Sequence, residues 1–517
     1  MQGKKEYQEK LFINFQLSDR IPRGNFYRRL KEVLNLEYLY SETKIYYGKS
    51  GQKSLDPVVF FKLCLVGYLE NIISDRQLIS HSSMRMDILY FIDYDLEDEL
   101  PWHSTISRTR QLFPEEVFEG VFSKVFSMCV EKGMVSGHTQ VVDAAPIKAN
   151  ASMESLELKV PEDELEAHLR KVRHFSREDR KVNKASKDQQ TLSANKHKLK
   201  GIESRNKKWA KDQDGRPGAK HKKAKYTSNH THYSPSDPDA RISVKPGKTR
   251  KLNYASQLTV DSSHYVITDI FADFANKKDS QSLVQITKRV QSRLRKEHLL
   301  WRNLLADTGY SSGDNYAYLE QENLKSYIPA HGTYKGGPEG FSYVAETDSW
   351  LCPQGKTIPY GKTYYETKNN TKKKEYRASK HLCKGCPIKA SCLKKSHEKR
   401  FSITYYKPEY DRAIARVKSP RGRYMKVKRS STVEPVFGTL TQFMGLRKVF
   451  TKGIKQAQKV MFMSAIAYNL KKYIKFTQKL AESKSQSQAA ILTAINDLII
   501  PFFMRYDVLK NDISLER

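Results

Sequence analysis

Two short stretches each place an acid where an apolar strand ends. "VVDAA" sets Asp143 behind two valines, and "LLADTGY" sets Asp307 behind a second apolar run. Open α/β sheets build their sites at the carboxyl ends of strands. An aspartate in that position also caps turns and helices, so this second reading stands beside the chemical one. A third acid, Glu434, lies in "SSTVEPVFGTLTQF". This reads as the first turn of a helix whose apolar face is Val433, Val436, Phe437 and Leu440. Three carboxylates brought together do not stay ionised without a cation. An all-oxygen donor set suits Mg²⁺ or Mn²⁺, and two such ions about 4 Å apart clamp the attacking and leaving oxygens of a phosphodiester. If the acids are unrelated caps, they should lie more than ~10 Å apart, too far to share ions.

The elements around these acids change character along the chain. Residues 1–135 read as helical. In "DPVVFFKLCLVGYLENIISDRQLISH", Asp56 is placed as an N-cap and Pro57 as the first helical residue. In "PWHSTISRTRQLF", Ser104 or Thr105 is the expected cap of a helix carrying Arg108 and Arg110. A basic second helix suggests a helix-turn-helix-like DNA contact; a plain bundle with a solvated basic face is the alternative. From Thr139 the pattern turns to short β-branched runs. A strand at "TQVVDAA", a hairpin at 251–273, a helix at 282–297, a strand into Asp307, a helix from about Gly313 and a strand at 325–330 follow in order. This order predicts a mixed sheet flanked by helices, an α/β class.

Charge bounds the partners. The 517 residues contain 91 Lys and Arg against 57 Asp and Glu, a net charge of +34. Nucleic acid is the first polyanion to consider and an anionic membrane surface the second. No apolar run approaches the ~20 residues of a membrane span, and the start "MQGKKEYQEK" lacks the apolar region of a signal peptide. The sparse use of cysteine fits a reducing compartment, so a cytoplasmic location is expected. Residues 170–226 carry 20 basic and 6 acidic residues, a net of +14. Such a segment has no core of its own and reads as a phosphate-tracking arm or a solvated linker.

Several stretches together resemble the DDE transposases of bacterial insertion sequences, nearest to the group numbered 1182. "VVDAAPIKANASMESLE" is similar to the first-aspartate block, "LLADTGYSS" to the second, and "STVEPVFGTLTQFMGLRKVFTKG" to the glutamate block. "SPSDPDARISVKPGKTRKLNYASQLTVD" resembles the run into the later core, and "DPVVFFKLCLVGYLE" with "LPWHSTISRTR" the helical N-terminal domain. The resemblance spans roughly residues 10 to 475. It implies a ribonuclease-H-like core with Asp143, Asp307 and Glu434 as a triad holding two Mg²⁺ or Mn²⁺. The separations are 307−143 = 164 and 434−307 = 127 residues, so both gaps hold insertions. It implies cleavage at the ends of an element and transfer of the freed 3′-OH into target DNA. A nuclease that cuts without joining and an inactive DNA-binding protein are the rival readings. The partners implied are double-stranded element ends and target DNA, met as a homo-oligomer on nucleoid DNA, with no membrane. Some relatives carry a basic residue one to two turns after the glutamate; here those positions read "TLTQF". Arg447 and Lys448, or Lys428 and Arg429, are the substitutes.

The expected organisation is a helical DNA-binding domain over 1–135, a catalytic domain over 136–475, and a helical tail over 476–517. The catalytic domain carries a basic insertion at about 155–245 and a cysteine-containing one at about 340–415. In the latter, Cys352, Cys383, Cys386 and Cys392 are spaced C-x30-C-x2-C-x5-C, with His381 and His397 nearby. A C-x2-C pair with two further cysteines fits a tetrahedral structural Zn²⁺; reduced thiols in a small subdomain are the alternative. Cys64 and Cys129, in apolar runs, are expected in cores.

Overall fold

The computed structural model describes residues 15–48, 54–158, 229, 232–243, 250–332, 334–366, 371–393 and 396–514, the last stretch from 487 as backbone. The basic stretch 170–226 lies outside the described residues. The chain divides into two compact units: Met1–Val117 with Glu131–Met134 and Ile466–Arg517, and Phe118–Val130 with Val135–Ala465.

The first unit is helical, as expected: α1 (Leu17–Arg20), α2 (Phe26–Val33), α3 (Leu39–Thr43), α4 (Pro57–Leu69), α5 (Asp75–Ser83), α6 (Met86–Ile92) and α7 (His103–Leu112). Asp56 caps α4, its Oδ1 accepting from the Val58 and Val59 amides at 2.7 and 3.2 Å, with Pro57 leading the helix. Phe60, Phe61, Leu63, Cys64, Leu65 and Val66 are all buried, so α4 is the axis around which the unit packs. The cap of α7 differs from expectation. Trp102 takes the N-cap without a side-chain bond, and Ser104 Oγ instead accepts from Arg108 one turn later. The proline-led extended run "LPW" already sets the chain direction, which leaves the hydroxyls inside the helix. Cys129 is buried in α8 (Glu115–Glu131), as expected of a core thiol.

The second unit is built on one six-stranded mixed sheet. Its strands are β1 (Thr139–Lys148), β4 (Arg241–Ser243), β5 (Lys251–Asp261), β6 (Ile267–Phe274), β7 (Asn303–Leu305) and β8 (Lys325–Tyr327). The order is β4-β5-β1-β7-β8, with β6 also pairing β5. β6, β5 and β1 are antiparallel, whereas β7 and β8 continue from β1 in parallel. The parallel steps need crossovers. α9 (Asp279–Lys296) and α10 (Gly313–Gln321) supply them. Arg289 and Arg293 of α9 reach the buried Asp269 of β6, and Arg293 also donates to Ser123 of α8 at 2.6 Å. This is the mixed sheet flanked by helices anticipated from the element order.

Two smaller β-structures lie outside the main sheet. β2 (Glu157–Leu158) pairs with β3 (His232–Tyr233), joining the two ends of the basic insertion. The cysteine-containing insertion is a small β-structure. It comprises β9 (Ser342–Val344), β10 (Ser349–Leu351) and β11 (Thr357–Ile358) in one sheet, and β12 (Tyr360–Glu366), β13 (Thr371–Arg377) and β14 (Arg400–Thr404) in another. A short α11 (Lys389–Leu393) lies before β14, and α12 (Lys407–Lys418) after it. α12 belongs to the flank of the main sheet: Arg412 pairs with Glu320 of α10, and Arg416 donates to the Ser326 carbonyl of β8 at 3.1 Å. α13 (Pro420–Phe443) and α14 (Ile454–Ser514) complete the chain. α14 passes position 475 unbroken, and the division between units falls within it at Ile466.

A buried acid gives this unit a pH dependence. Tyr254 of β5 donates to Asp237 Oδ1 at 2.6 Å and the Gly453 amide does so at 3.0 Å. Burial pushes the Asp237 carboxyl up to about 6, the two donors opposing it. A carboxyl raised on folding stabilises fully below its unfolded pKa near 4 and loses that contribution as pH rises through the folded value. Between about pH 4 and 6 the wild type should therefore lose roughly 3 kcal/mol relative to Asp237→Asn. Paired thermal-unfolding curves at pH 4.5 and 7 check this; parallel shifts in both proteins would refute it.

Candidate active site

β1 and β7 run in parallel register with Thr139 beside Asn303, Gln140 beside Leu304 and Val141 beside Leu305. Each pair is separated by 164 positions (303−139), the same separation as Asp143 and Asp307 (307−143). The register, continued two residues past the end of β7, carries Asp307 alongside Asp143 on neighbouring chains ~4.8 Å apart; Asp143 itself lies within β1, paired with Leu258 of β5, and not at the strand end that the sequence suggested, because β1 runs on to Lys148 against β5. Asp143 Oδ1 accepts from the Ala144 amide at 2.8 Å. Burial pushes the Asp143 carboxyl up to about 6, helped by the negative charges of Asp307 and Asp279 and opposed by the Ala144 amide and Arg429. Asp307 does cap a turn: its Oδ1 accepts from the Gly309 amide at 2.8 Å, opening the single turn Thr308–Tyr310. The capping reading of the sequence therefore holds for this residue, whose carboxylate also stands beside Asp143 and Asp279.

Asp279, at the start of α9, is the acid that sequence reasoning missed. A Cβ on Gly309 would sit 2.9 Å from Asp279 Oδ2 and 3.0 Å from Asp307 Oδ1. Two carboxylates thus close on the α-carbon of Gly309, which any side chain would push apart. An acid in the first turn of a helix is so common that its sequence signal says nothing of a site. Beneath the cluster, the buried Tyr310 hydroxyl donates to Gln257 of β5 at 2.7 Å and ties the Asp307 turn to the sheet.

Glu434 arrives on α13, and here the structure corrects the sequence reading. It lies in the interior of the helix rather than its first turn. The helix starts at Pro420, where the Ser419 hydroxyl accepts from the Gly422 amide at 3.0 Å. "SP" followed by helix-forming lysines and arginines was the available signal. Pro435 lies inside the helix, where it is exposed and tolerated. The expected face is otherwise correct, with Val433, Val436 and Leu440 buried and Phe437 partly so.

Arg429 joins the acids. Its Nη1 donates to Asp143 Oδ2 at 3.1 Å and its Nη2 to Glu434 Oε1 at 3.5 Å. The expectation of a DNA contact at Arg429 gives way to a cation inside the carboxylate cluster. Among the described residues, no three His, Cys, Asp or Glu side chains already stand as a metal-holding group. Glu434, at 63% side-chain exposure, turns towards the guanidinium. The donor chemistry nonetheless fits a hard divalent cation: oxygen acids from the middle of β1, the turn after β7 and one helix, with mutual repulsion that a cation relieves.

The other expected contacts separate clearly. Arg110 forms a two-pronged bond to Asp75 at 2.9 and 2.6 Å, which ties α7 to α5. Arg108 is exposed on the same helix. Arg447 is exposed; Lys448 lies over the Phe450 ring at 5.0 Å, its backbone bridged to Lys148 at the end of β1. Lys428 is half-buried on α13. One further feature was missed. Arg423, Lys426, Val427, Ser430, Ser431 and Glu434 line a single open groove of about 780 Å³. Their spacing is i, i+3, i+4, i+7, i+8, i+11, one continuous helix face leading to Glu434.

Two family models match the chain. Residues 15–112 match "Transposase domain (DUF772)" and residues 351–474 match "Transposase DDE domain". The two matches together make the chain similar to the DDE transposases. The second match contains Glu434; Asp143 and Asp307 lie outside both matches, and their pairing rests on the β1–β7 register. Among curated proteins, none matches the chain in sequence. A solved structure described as a piggyBac transposase synaptic complex with hairpin DNA aligns with 87% of this chain and 72% of its own, at 10% identity and a TM-score of 0.31. No described helix of the chain is long and apolar enough to cross a membrane.

Proposed function

We propose that this protein is a transposase that cleaves DNA at the ends of its element and transfers the freed 3′-OH into target DNA, with Asp143, Asp307 and Glu434 as the metal-holding triad. The observation that carries the reading is the convergence of Asp143 and Asp307 by strand register, with Arg429 linking Asp143 to Glu434. The three acids would hold one or two Mg²⁺ or Mn²⁺, which when bound activate the attacking oxygen and stabilise the leaving one. Before the ion enters, Arg429 offsets the repulsion among the acids and holds α13 against the middle of β1. The Gln257–Tyr310 bond fixes the Asp307 turn, so its carboxylate needs little rearrangement.

DNA is the partner that fits a net charge of +34. The α13 groove would carry one strand to the site, Arg423 and Lys426 meeting phosphates. Arg447, Lys448 and Lys428 add positive charge after and before Glu434. In the helical unit, exposed Arg108 and Trp102 on α7 are the proposed contacts to the element ends. Two ends must meet for joining, so the working form is an oligomer on DNA, in the cytoplasm.

Replacing Arg423 and Lys426 together by Ala should weaken binding to any duplex. It should also flatten the dependence of log affinity on log salt by about 2, near 0.9 per phosphate contact. Fluorescence anisotropy at several salt concentrations reads both; an unchanged slope would remove these residues from the DNA path. A ribonuclease-H-like nuclease and an inactive DNA-binding protein share this fold. Duplexes carrying pre-cut element ends separate them: with Mg²⁺ the transposase reading requires joined product. Cleavage of uncut ends without joining would indicate the nuclease, and neither product the binding protein.

A further inference from the structure

The cysteine-containing insertion has a very small apolar centre. Its buried members are Trp350, Ile358, Tyr376 and Ala378, with Phe341, Tyr343, Phe401 and Ile403 packed against them. A core of this size does not by itself hold a β-structure together; small units of this kind need a covalent or metal staple. The described residues show no disulfide: Cys352, Cys383, Cys386 and Cys392 are free thiols, each half-buried.

These four thiols come from three segments and line one cavity of about 30 Å³, roughly the space of a single water or ion. Its other walls are largely apolar, including Phe341, Ile358, Leu382 and Leu393. Cys352 sits in a tight turn in which the Gly355 amide donates to its carbonyl at 2.8 Å and its own amide to the Lys356 carbonyl at 2.9 Å. The Cys383–Cys386 turn passes through Gly385 at φ +70°, a left-handed conformation that L side chains resist. Cys392 follows on the first turn of α11, its amide donating to the Ile388 carbonyl at 2.9 Å. Lys356, Lys389 and Lys399 also border the cavity. His381 and His397 are exposed and do not line it, so the spare ligands considered from the sequence are not gathered.

We propose that Cys352, Cys383, Cys386 and Cys392 bind one structural Zn²⁺ that closes this insertion. The sulfur atoms do not yet stand as a metal-holding group. Binding draws the side chains inward onto ~2.3 Å bonds, and the four thiols release their protons to solvent. The resulting tetrathiolate carries a charge of about −2, which the three bordering lysines offset. The site is independent of the carboxylate cluster and of the reaction assigned to it.

The test uses full-length protein purified under reducing conditions. Elemental analysis should find about one zinc per chain. The Cys383→Ser/Cys386→Ser variant should lose it, whereas Cys64→Ser and Asp143→Asn should keep it. Because the double variant may misfold, wild type stripped by chelator is also titrated with Co²⁺. The intense near-ultraviolet thiolate-to-cobalt band of a tetrahedral sulfur site is expected, saturating near one equivalent. Zinc absent from the wild type, zinc retained by the double variant, cobalt spectra without thiolate bands, or a disulfide among the four found by mass spectrometry would each overturn the proposal.

Discussion

Glu434→Gln is expected to fold as the wild type and bind DNA undiminished, yet lose cleavage and joining by about 10³ or more. Glu434 is exposed and its one described partner is Arg429, so its removal takes nothing from a core. The amide keeps the shape but gives up the charge that a divalent cation requires. A loss of 10³ corresponds to about 4 kcal/mol at the transition state, a modest share of what metal ions contribute to phosphoryl transfer. Gel-resolved cleavage beside an anisotropy titration separates chemistry from binding. A variant that cuts within tenfold of wild type would remove Glu434 from the triad.

What could be read from the sequence follows from the kind of signal each residue leaves. Asp143 and Asp307 were visible because a charge behind an apolar run is costly without a partner. Their 164-residue separation, read from the sequence as room for an insertion, is also the register offset between β1 and β7. The hairpin β5–β6 and helices α9 and α10 were visible for the same reason, since their periodicity is strong and their breakers are local. Glu434 was found, but its helix was begun too late, because its apolar face was read without the earlier Ser419–Pro420 start. Asp279 left no usable signal: its role comes from the approach of a helix start to the Gly309 turn, a tertiary fact. Arg110 shows the opposite error. On the sequence it looked like a basic surface, but the helix turns it towards Asp75, which lies 35 residues earlier.

That pair yields the second large effect. Asp75→Ala should destabilise the helical unit by about 3 kcal/mol, since removing one partner leaves the other charge poorly compensated. Arg110 and Asp75 have side-chain exposures of 18% and 21%, and the fork geometry is near ideal. Arg110→Ala should cost a similar amount. The double variant should cost less than the sum, because the two residues act as one pair. Thermal unfolding of the four proteins gives the cycle directly. Additive losses would mean that the pair contributes nothing beyond its separate packing. If Arg110 instead contacts DNA, Arg110→Ala would weaken binding while leaving the melting temperature unchanged.

The central reaction is the one assigned to Asp143 of β1. Purified wild type and Asp143→Asn, each shown to bind duplex DNA, are incubated with Mg²⁺, a duplex carrying the element end and a target plasmid. The prediction is joined product from the wild type and neither cleaved nor joined product from the variant. Equal activity in the two proteins would contradict the assignment of Asp143, and with it the triad.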